Sequence, residues 1–398
     1  MIRKNYEYLG SVRSAIRELF EYGLRRKAEI GQGKVFDFSL GNPSVEPPAS
    51  VNEELARLIK DTEATALHGY TSAQGDKITR EAVAKYITET QGFAVSAEDL
   101  YMTVGAAAAL SCALSALSGP GEEVIVLAPY FPEYKVFINQ AGAETREVLC
   151  DPVSFQPDLE AIKAAINERT AAIIVNSPCN PTGAVYTRDN LVALADILRN
   201  AEAEYGHPIY LIADEPYREL VYGGAVVEYL PKLYDNCIVC YSFSKSLSIP
   251  GERIGYLLVS PKVEDRGRVY AAVCGAGRSL GYVCAPSMLQ KLVPACLGQC
   301  ADIEIYDRNR ILLLEKLTEY GFEAVKPEGA FYLFLKAPDG DAEAFSEAAK
   351  RHELLLVPST SFGCGGYVRI SYCVSTEQIK NALPAFRALA EEYFGDKK

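Results

Sequence analysis

Basic charge and long apolar runs are both scarce in this sequence, and each absence excludes a class of protein. The 398 residues include 40 basic and 52 acidic side chains, which give a formal net charge of −12. A nucleic-acid-binding protein usually presents a basic face, so we expect no nucleic-acid partner. No apolar run approaches the length of about 20 residues that a bilayer-spanning helix requires. The N-terminal region also lacks the apolar core of a signal peptide. These absences predict a cytoplasmic protein without a membrane partner.

Metal-binding patterns are equally scarce. The sequence has only three histidines, none of them in an HExxH motif, and 11 cysteines that we interpret as reduced thiols. Cys237 and Cys240 form a CxxC, but they lie in the strand-like run NCIVCY. Cys296 and Cys300 are too loosely placed to make a convincing second pair for zinc. Free cysteines are commonly buried, so we expect packing thiols and no metal site.

The order of predicted elements indicates an α/β protein. A chain of this length is too long for one ordinary core, and its middle part alternates short apolar strands with amphipathic helices, the pattern of a largely parallel sheet. The predicted strands are Leu100–Val104, Glu123–Leu127, Ala171–Asn176, Ile209–Ala213 and Ile238–Tyr241. The predicted helices are Asp76–Thr90, Ala106–Leu117, Phe131–Gln140, Asp158–Ile166 and Thr187–Glu204.

The last third of the chain has a different pattern, which predicts a second, smaller α+β domain. Its predicted elements are a long helical stretch at Ser287–Tyr320, strands at Phe331–Leu335, Leu354–Val357 and Tyr367–Ser371, and a terminal helix at Thr376–Tyr393. The helical N-terminus is expected to pack with this part. We therefore predict a large domain over residues 43–285 and a discontinuous small domain formed by residues 1–42 and 286–398.

The segment SFSKSLSIPGERIGY, from Ser242 to Tyr256, is the richest in reactive side chains. A lysine that attacks a carbonyl must lose its proton, and Lys245 has a cationic neighbour, Arg253, that favours this loss. Arg253 and the hydroxyls of Ser242 and Ser244 suit a phosphate group. On these residues alone, a surface loop with a solvated lysine is an equally good interpretation.

The segment IYLIADEPY carries Asp214 and Glu215 to the carboxyl end of an apolar strand, where open α/β sheets bind their ligands. A carboxylate buried there needs a cationic partner, and a protonated pyridine nitrogen is one. The competing interpretation is the Walker B strand of an ATPase. That interpretation requires a GxxxxGKS/T loop, which the sequence lacks.

Two further segments are weak signals by themselves. Asn180 lies in NSPCNPTGAVY, between a strand end and a Pro-Thr-Gly turn, and such residues also form ordinary turns. In TVGAAAAL a glycine precedes a predicted helix whose first amides, those of Ala106 and Ala107, would attract a phosphate. An alanine-rich helix start is more often purely structural.

In this order and at these separations, the four segments together resemble the fold type I, class I/II aminotransferases, which use pyridoxal phosphate. The resemblance extends from about Asp37 to Arg369, and NPTG, DEPY and SFSK followed by PGERIGY are its most specific pieces. It implies a large domain with a mostly parallel seven-stranded sheet between helices, together with the smaller α+β domain.

The resemblance also implies roles for residues around the cofactor ring. Lys245 would form a Schiff base with pyridoxal phosphate and then move the substrate proton. Asp214 would pair with the pyridinium nitrogen, while Asn180 and Tyr217 would bind the phenolic oxygen. Phe131 is similar to the aromatic residue that stacks on the ring, with the adjacent tyrosines at positions 130 and 134 as alternatives.

The cofactor phosphate would be held by the amides of Ala106 and Ala107 and by the side chains of Ser242, Ser244 and Arg253. Relatives often have a polar side chain in this turn. Because this chain has alanines there, we expect Arg253 to contribute more to binding the phosphate. Tyr70, in HGYTSAQG, resembles a tyrosine that reaches the phosphate of a partner subunit. The resemblance therefore implies a homodimer with shared active sites.

The substrate would be bound by a separate set of residues. Arg369, in YVRISY, resembles the arginine that binds the α-carboxylate, for which its fork of donors is suited. Asn180 would assist it, and the SLGNP loop with Gly41 and Asn42 would close over the substrate. Arg278 is similar in place to an arginine with which some relatives bind the distal carboxylate of a partner subunit's substrate.

Transamination of an L-amino acid with a 2-oxo acid is the reaction that we expect, with aspartate or glutamate as the favoured donor type. C–S β-elimination on the same framework is the alternative, because it requires the same residues. A non-catalytic sensor that binds the cofactor is a remote alternative. Such sensors carry a helix-turn-helix domain ahead of this unit, and Ser39 of this chain already belongs to the SLGNP loop.

Overall fold

The computed structural model describes residues 2–12 and 14–395. The helices in this part of the chain are α1 (Lys4–Ser11), α2 (Ala15–Ile30), α3 (Ala49–Asp61), α4 (Ala64–His68), α5 (Lys77–Gln91), α6 (Ala106–Leu117), α7 (Glu133–Ala141), α8 (Leu159–Ala165), α9 (Arg188–Tyr205), α10 (Phe243–Ser246), α11 (Arg266–Ser279), α12 (Ser287–Cys296), α13 (Glu304–Glu319), α14 (Ala342–Arg351) and α15 (Thr376–Phe394). Across the described ranges, none of these helices combines the length and the apolar character needed to cross a membrane.

The strands are β1 (Phe36–Asp37), β2 (Leu100–Thr103), β3 (Glu123–Ala128), β4 (Glu144–Leu149), β5 (Thr170–Asn176), β6 (Tyr210–Asp214), β7 (Cys237–Ser242), β8 (Gly255–Val259), β9 (Ala324–Val325), β10 (Tyr332–Lys336), β11 (Leu354–Leu355), β12 (Val357–Pro358) and β13 (Tyr367–Ser371). Short 3₁₀ turns occupy Gln32–Lys34, Ala97–Asp99, Leu230–Lys232 and Ser359–Phe362.

Seven strands form the central sheet, in the order β2-β8-β7-β6-β5-β3-β4. The strands from β7 across to β4 are parallel to one another. β8 alone runs antiparallel to its neighbours, between β2 and β7. Parallel neighbours require crossover connections, and helices supply them here. The sequence prediction of a mostly parallel, seven-stranded α/β sheet is confirmed.

Apart from the edge strand β4, both faces of the sheet are buried, which explains why the other strands are mostly apolar. Along β7, the side chains of Cys237, Val239 and Tyr241 pack on one face, and those of Ile238 and Cys240 pack on the other. Helices α3, α5, α9 and α12 cover the first face. Helices α6, α7 and α11 cover the second. This sandwich fixes the carboxyl ends of the parallel strands along one edge.

A smaller antiparallel sheet, β12-β13-β10-β9, packs with α13, α14 and α15 around its own hydrophobic core. Phe38 contributes to this core from the N-terminal part, and β1 pairs with β11 through Phe36 and Leu354. The α+β character expected of the last third is present. The domain boundaries at 42/43 and 285/286 stay predictions.

The structure differs from the sequence prediction at several elements. The continuous helix at Ser287–Tyr320 is wrong, because the chain leaves helical geometry between α12 and α13, where Gly298 has a φ of +77°. The strand predicted at Leu354–Val357 is interrupted at Leu356, which separates β11 from β12. β4 was not predicted, since it is an edge strand with mostly polar, solvent-facing side chains. β8 was not predicted either, because its first residues, Gly255 and Tyr256, belong to the segment that was interpreted as functional.

Candidate active site

A cavity with a volume of about 260 Å³ opens at the carboxyl ends of β5, β6 and β7. Open α/β sheets bind ligands at this edge. Most of the residues singled out from the sequence line it: Gly41, Ala106, Ala107, Phe131, Asn180, Asp214, Tyr217, Ser242, Ser244, Lys245, Arg253 and Arg369. The fold thus brings together side chains that are up to 328 positions apart in the sequence.

Asp214 ends β6 and is buried, with only one of its carboxylate oxygens satisfied by the protein. Oδ2 accepts a hydrogen bond of 2.5 Å from the Tyr134 hydroxyl. Asn176 donates to the Asp214 carbonyl oxygen at 2.8 Å. Oδ1 has no hydrogen-bond partner among the described residues. Burial raises the pKa of Asp214, the hydrogen bond from Tyr134 lowers it and the nearby Glu215 raises it, and the net result is a pKa of about 7. This carboxylate requires a cation to be stable in its charged form.

Lys245 lies in the short helix α10, directly after β7. Its Nζ donates a 2.7 Å hydrogen bond to the Gly41 carbonyl oxygen and lies 5.2 Å from the centroid of the Phe331 ring. Burial lowers the pKa of Lys245 to about 8, and the positive charges of Arg253 and Arg369 lower it too. About a fifth of this amine is therefore neutral at about pH 7.4, against about a thousandth for an ordinary lysine, and the neutral form is the one that a nucleophilic lysine requires.

Arg369, on β13, enters the cavity from the smaller sheet. Its Nη1 donates to Asn180 Oδ1 at 2.9 Å and its Nη2 donates to the Ser39 carbonyl at 2.6 Å. Its Nε is buried without a partner in the described part of the chain. Burial lowers the pKa of Arg369, but arginine remains a cation in proteins. The guanidinium and the Asn180 amide form a polar pair opposite Lys245 that suits a carboxylate.

A cluster of donors lies at the start of α6. The first amides of a helix, here those of Ala106 and Ala107, have no intrahelical acceptor. Gly105 precedes them at a φ of +86°, and a Cβ there would come within 2.7 Å of Arg253 Nη2. The Ser242 and Ser244 hydroxyls lie 2.7 Å apart, and Arg253 Nη1 donates to Ser244 at 3.4 Å. Amides, hydroxyls and a guanidinium together suit a phosphate.

The aromatic residues of this region have separate places. Phe131 lines the cavity, with its ring edge-on to the Tyr134 ring at 5.7 Å. Tyr134 lies behind Asp214, to which it donates. Tyr130 packs under Lys135, whose Nζ is 5.7 Å from the ring centroid. Of the three aromatic residues weighed for ring stacking, only Phe131 is part of the cavity wall.

Sequence reasoning missed two polar residues of this site. Tyr332 lines the cavity, and its hydroxyl lies 2.8 Å from that of Tyr217. Asn176 Oδ1 accepts a hydrogen bond of 2.8 Å from the backbone N–H of Asn180 and so fixes the NPTG turn. Tyr332 stands in the apolar run FYLFL, which is typical of a core strand. Asn176 was treated only as the end of a strand.

Three predicted site residues do not line the cavity of this chain. Tyr70 is 91% exposed. Asn42 is exposed on the SLGNP loop, and Arg278 is exposed in the last turn of α11. A residue that serves the site of a partner subunit would be exposed in a single chain. The roles given to these three residues stay predictions.

The fold and the cavity define a class of enzyme, and similarity to known proteins agrees with it. The family model described as aminotransferase class I and II matches residues 33–386. The chain belongs to this family and is an aminotransferase with the fold type I architecture.

Several characterised relatives are similar over nearly their whole length. The aspartate aminotransferase of Thermotoga maritima is 31% identical, covering 92% of this chain and 95% of that protein. The aspartate/prephenate aminotransferase of Thermus thermophilus is 33% identical, covering 87% and 88%. Among solved structures, an aminotransferase from Eubacterium rectale is 52% identical with a TM-score of 0.97, covering 99% of both chains. The Thermus thermophilus aspartate aminotransferase with maleate is 29% identical with a TM-score of 0.85, covering 98% of this chain and 99% of that chain.

Proposed function

We propose that this enzyme transfers an amino group between an L-amino acid of the aspartate or glutamate type and a 2-oxo acid, with pyridoxal phosphate as cofactor. The observation that carries the proposal is the unpartnered Oδ1 of Asp214, in the same cavity as the partly neutral amine of Lys245. The printed activities of the relatives, aspartate and aspartate/prephenate aminotransferase, support the choice of donor.

The residues present fit this cofactor at each of its polar groups. Asp214 Oδ1 would accept from the protonated ring nitrogen, which supplies the cation that the buried carboxylate needs. The α6 amides with Ser242, Ser244 and Arg253 would hold the phosphate. Asn180 and Tyr217 would bind the phenolic oxygen, and Phe131 would cover the ring. When bound, pyridoxal phosphate supplies an electron sink that weakens bonds at the substrate Cα.

Lys245 would carry the cofactor covalently and, once displaced by the substrate amine, move the proton at Cα. Its pKa of about 8 suits both tasks, because a base with a pKa near the operating pH can accept a proton and return it. Arg369 and Asn180 would hold the α-carboxylate through the guanidinium fork, which fixes Cα within reach of Nζ. Gly41 would cover the substrate from the loop side, with Asn42 beside it.

We also propose a homodimer in which Tyr70 and Arg278 complete the site of the partner subunit. Tyr70 would reach the phosphate, and Arg278 would bind the distal carboxylate of a dicarboxylic substrate. Their exposure in the single chain supports this proposal. Residues 43–285 would form the large domain, and residues 1–42 and 286–398 the small one. The 11 free cysteines support a reducing compartment, the cytoplasm.

The test is the absorption spectrum of the purified enzyme with pyridoxal phosphate, before and after single amino acids are added without a 2-oxo acid. Aspartate or glutamate should convert the visible band of the lysine-bound cofactor to the near-ultraviolet band of its amine form. Release of a thiol, pyruvate and ammonia from cystathionine or cysteine, with the visible band restored after turnover and no conversion by aspartate or glutamate, would establish the C–S lyase instead. A protein that develops no visible band with the cofactor would exclude the assignment of Lys245.

A further inference from the structure

Tyr332 is brought to the cavity by the pairing of two strands of the smaller sheet. It begins β10, which runs antiparallel to β13 with Tyr332 opposite Ser371 and Phe334 opposite Arg369. Tyr332 and Arg369 therefore point to the same face of the sheet as diagonal neighbours. The Arg369 guanidinium carbon lies 4.5 Å from the centroid of the Tyr332 ring. A cation over an aromatic face at this distance is attracted to it.

The hydroxyl of Tyr332 contacts Tyr217, which follows β6 of the large sheet. It lies 2.8 Å from the Tyr217 hydroxyl, and the two rings meet edge to face at 5.7 Å and 82°. Burial raises the pKa of Tyr332 to about 12 and that of Tyr217 well above its ordinary value. Both phenols therefore keep their protons at neutral pH. When Tyr217 donates into the cavity, its oxygen accepts from Tyr332.

The same hydroxyl also lies against the SLGNP loop. A Cβ at position 41 would overlap the Tyr332 hydroxyl, so only glycine fits there. The Gly41 carbonyl is the group to which Lys245 Nζ donates at 2.7 Å. One buried side chain thus touches three residues that come from three different parts of the fold.

The geometry points to Tyr332 as a positioning residue that links the carboxylate-binding arginine to the tyrosine of the cofactor pocket. Its ring holds the plane of the Arg369 guanidinium, and its hydroxyl orients the Tyr217 phenol and strengthens it as a donor. This inference rests on the proposed function, since Tyr217 would bind the phenolic oxygen of the cofactor. It assigns one role to the ring of Tyr332 and another to its hydroxyl. Two substitutions test these roles one at a time.

The hydroxyl is tested by Tyr332→Phe in the enzyme loaded with pyridoxal phosphate. A weaker Tyr217 donor stabilises the anionic phenolic oxygen less, so the pH midpoint of the visible absorption change should rise by about half a unit. The affinity for maleate, followed by spectral titration, should remain within about twofold because the ring is still under Arg369. An unchanged midpoint would overturn the inference.

The ring is tested by Tyr332→Leu, for which maleate should bind about tenfold more weakly in addition to the midpoint shift. The control is Tyr222→Phe, which removes a buried hydroxyl that donates to the Ala330 carbonyl at 2.5 Å in the same core, outside the cavity. In the control, both the pH midpoint of the visible absorption change and the affinity for maleate should equal those of the wild type. Equal maleate affinity in Tyr332→Leu and wild type would overturn the role of the ring.

The thermal midpoint of each cofactor-free variant shows whether it is folded, and Tyr332→Phe alone tests the hydroxyl if Tyr332→Leu does not fold. The spectrum of the wild type distinguishes a failure of the proposed function from a failure of the role of Tyr332. If the wild type forms no visible band, the proposed function fails and the role of Tyr332 fails with it. If the band forms and Tyr332→Phe has the wild-type midpoint, only the role of Tyr332 fails.

Discussion

The hydroxyl of Tyr134 donates a 2.5 Å hydrogen bond to Oδ2 of Asp214 and leaves Oδ1 of the same carboxylate without a partner in the described chain. One oxygen is thus anchored and the other is available. Because the anchoring residue lies behind the carboxylate, the orientation of Asp214 does not depend on a bound ligand.

We predict that Tyr134→Phe binds pyridoxal phosphate about tenfold more weakly, since the lost hydrogen bond goes to a charged group in a buried site. The dissociation constant can be measured by titrating cofactor-free protein and following cofactor fluorescence. The chain has no tryptophan, so indole emission does not interfere. Tyr130→Phe is the control, because Tyr130 is a neighbouring buried tyrosine outside the cavity. Equal affinities for wild type and Tyr134→Phe would contradict the anchoring role.

Asp214 should make the stability of the cofactor-free enzyme depend on pH. Burial raises its pKa from 3.8 to about 7, so the stability contributed by the protonated carboxyl is fully present below the unfolded pKa and is lost as the pH rises through about 7. The difference in unfolding free energy between wild type and Asp214→Asn should therefore fall by about 2–3 kcal/mol between about pH 5 and pH 8. Urea unfolding across this range measures it. Parallel stability curves for the two proteins would contradict the shift.

Lys245→Ala should abolish the visible cofactor band and transamination, because no other lysine lines the cavity in the described chain. In the wild type, the rate of covalent cofactor attachment should rise with pH and level off above about 8, where the amine is neutral. Stopped-flow absorbance at a series of pH values checks this. Lys245→Ala should show no such phase. A wild-type rate that still rises steeply near pH 10 would indicate an amine with an ordinary pKa.

Arg369→Lys should reduce kcat/KM by about 10²-fold, since lysine cannot keep the fork that contacts Asn180 and Ser39. Steady-state kinetics with aspartate measure this loss. Arg387→Lys is the matched control, because Arg387 pairs with Glu391 on the exposed side of α15 and exposed pairs contribute little. Similar kinetics for the two variants would exclude Arg369 from substrate binding.

Arg278→Leu should impair aspartate turnover much more than alanine turnover, because only aspartate has a distal carboxylate. Equal losses for both substrates would contradict this role. Mixing the Arg278→Leu and Lys245→Ala subunits provides a direct test of the shared site. A hybrid dimer regains one complete site, so refolded equal mixtures should recover about a quarter of the wild-type activity toward aspartate. Recovery no greater than that of the separate variants would exclude a contribution across subunits.

The sequence was sufficient to predict the site residues that lie at the ends of apolar strands. Asp214 ends β6, Asn180 follows β5 and Lys245 follows β7, so a parallel sheet brings them to one edge. Their motifs also identified the family. Tyr332 was not predicted as a site residue, because its place depends on the register of β10 with β13, and an aromatic residue in an apolar strand is typical of a core.

Each difference between the predicted and the observed elements has its own physical cause. β4 lies at the sheet edge, where one face is open to solvent and the residues of ETREVL need not be apolar. The helix predicted from Ser287 contains enough apolar residues to continue, but Leu297 is already extended and Gly298 follows it at a φ of +77°. Whether Tyr70 and Arg278 act in a partner's site depends on a contact that one chain's sequence pattern does not encode.

The insertion of β8 between β2 and β7 determines when the cluster of donors at the start of α6 can form during synthesis. β8 is the last strand of the large sheet to leave the ribosome, yet its first residue, Gly255, pairs with Thr103 of β2 and Ser242 of β7. The turn before it carries Arg253 against Gly105. A nascent chain that ends before Gly255 lacks the strand that joins β2, which leads into α6, to β7, which ends at Ser242. This donor cluster is therefore complete only in a chain that has formed the whole of the large sheet.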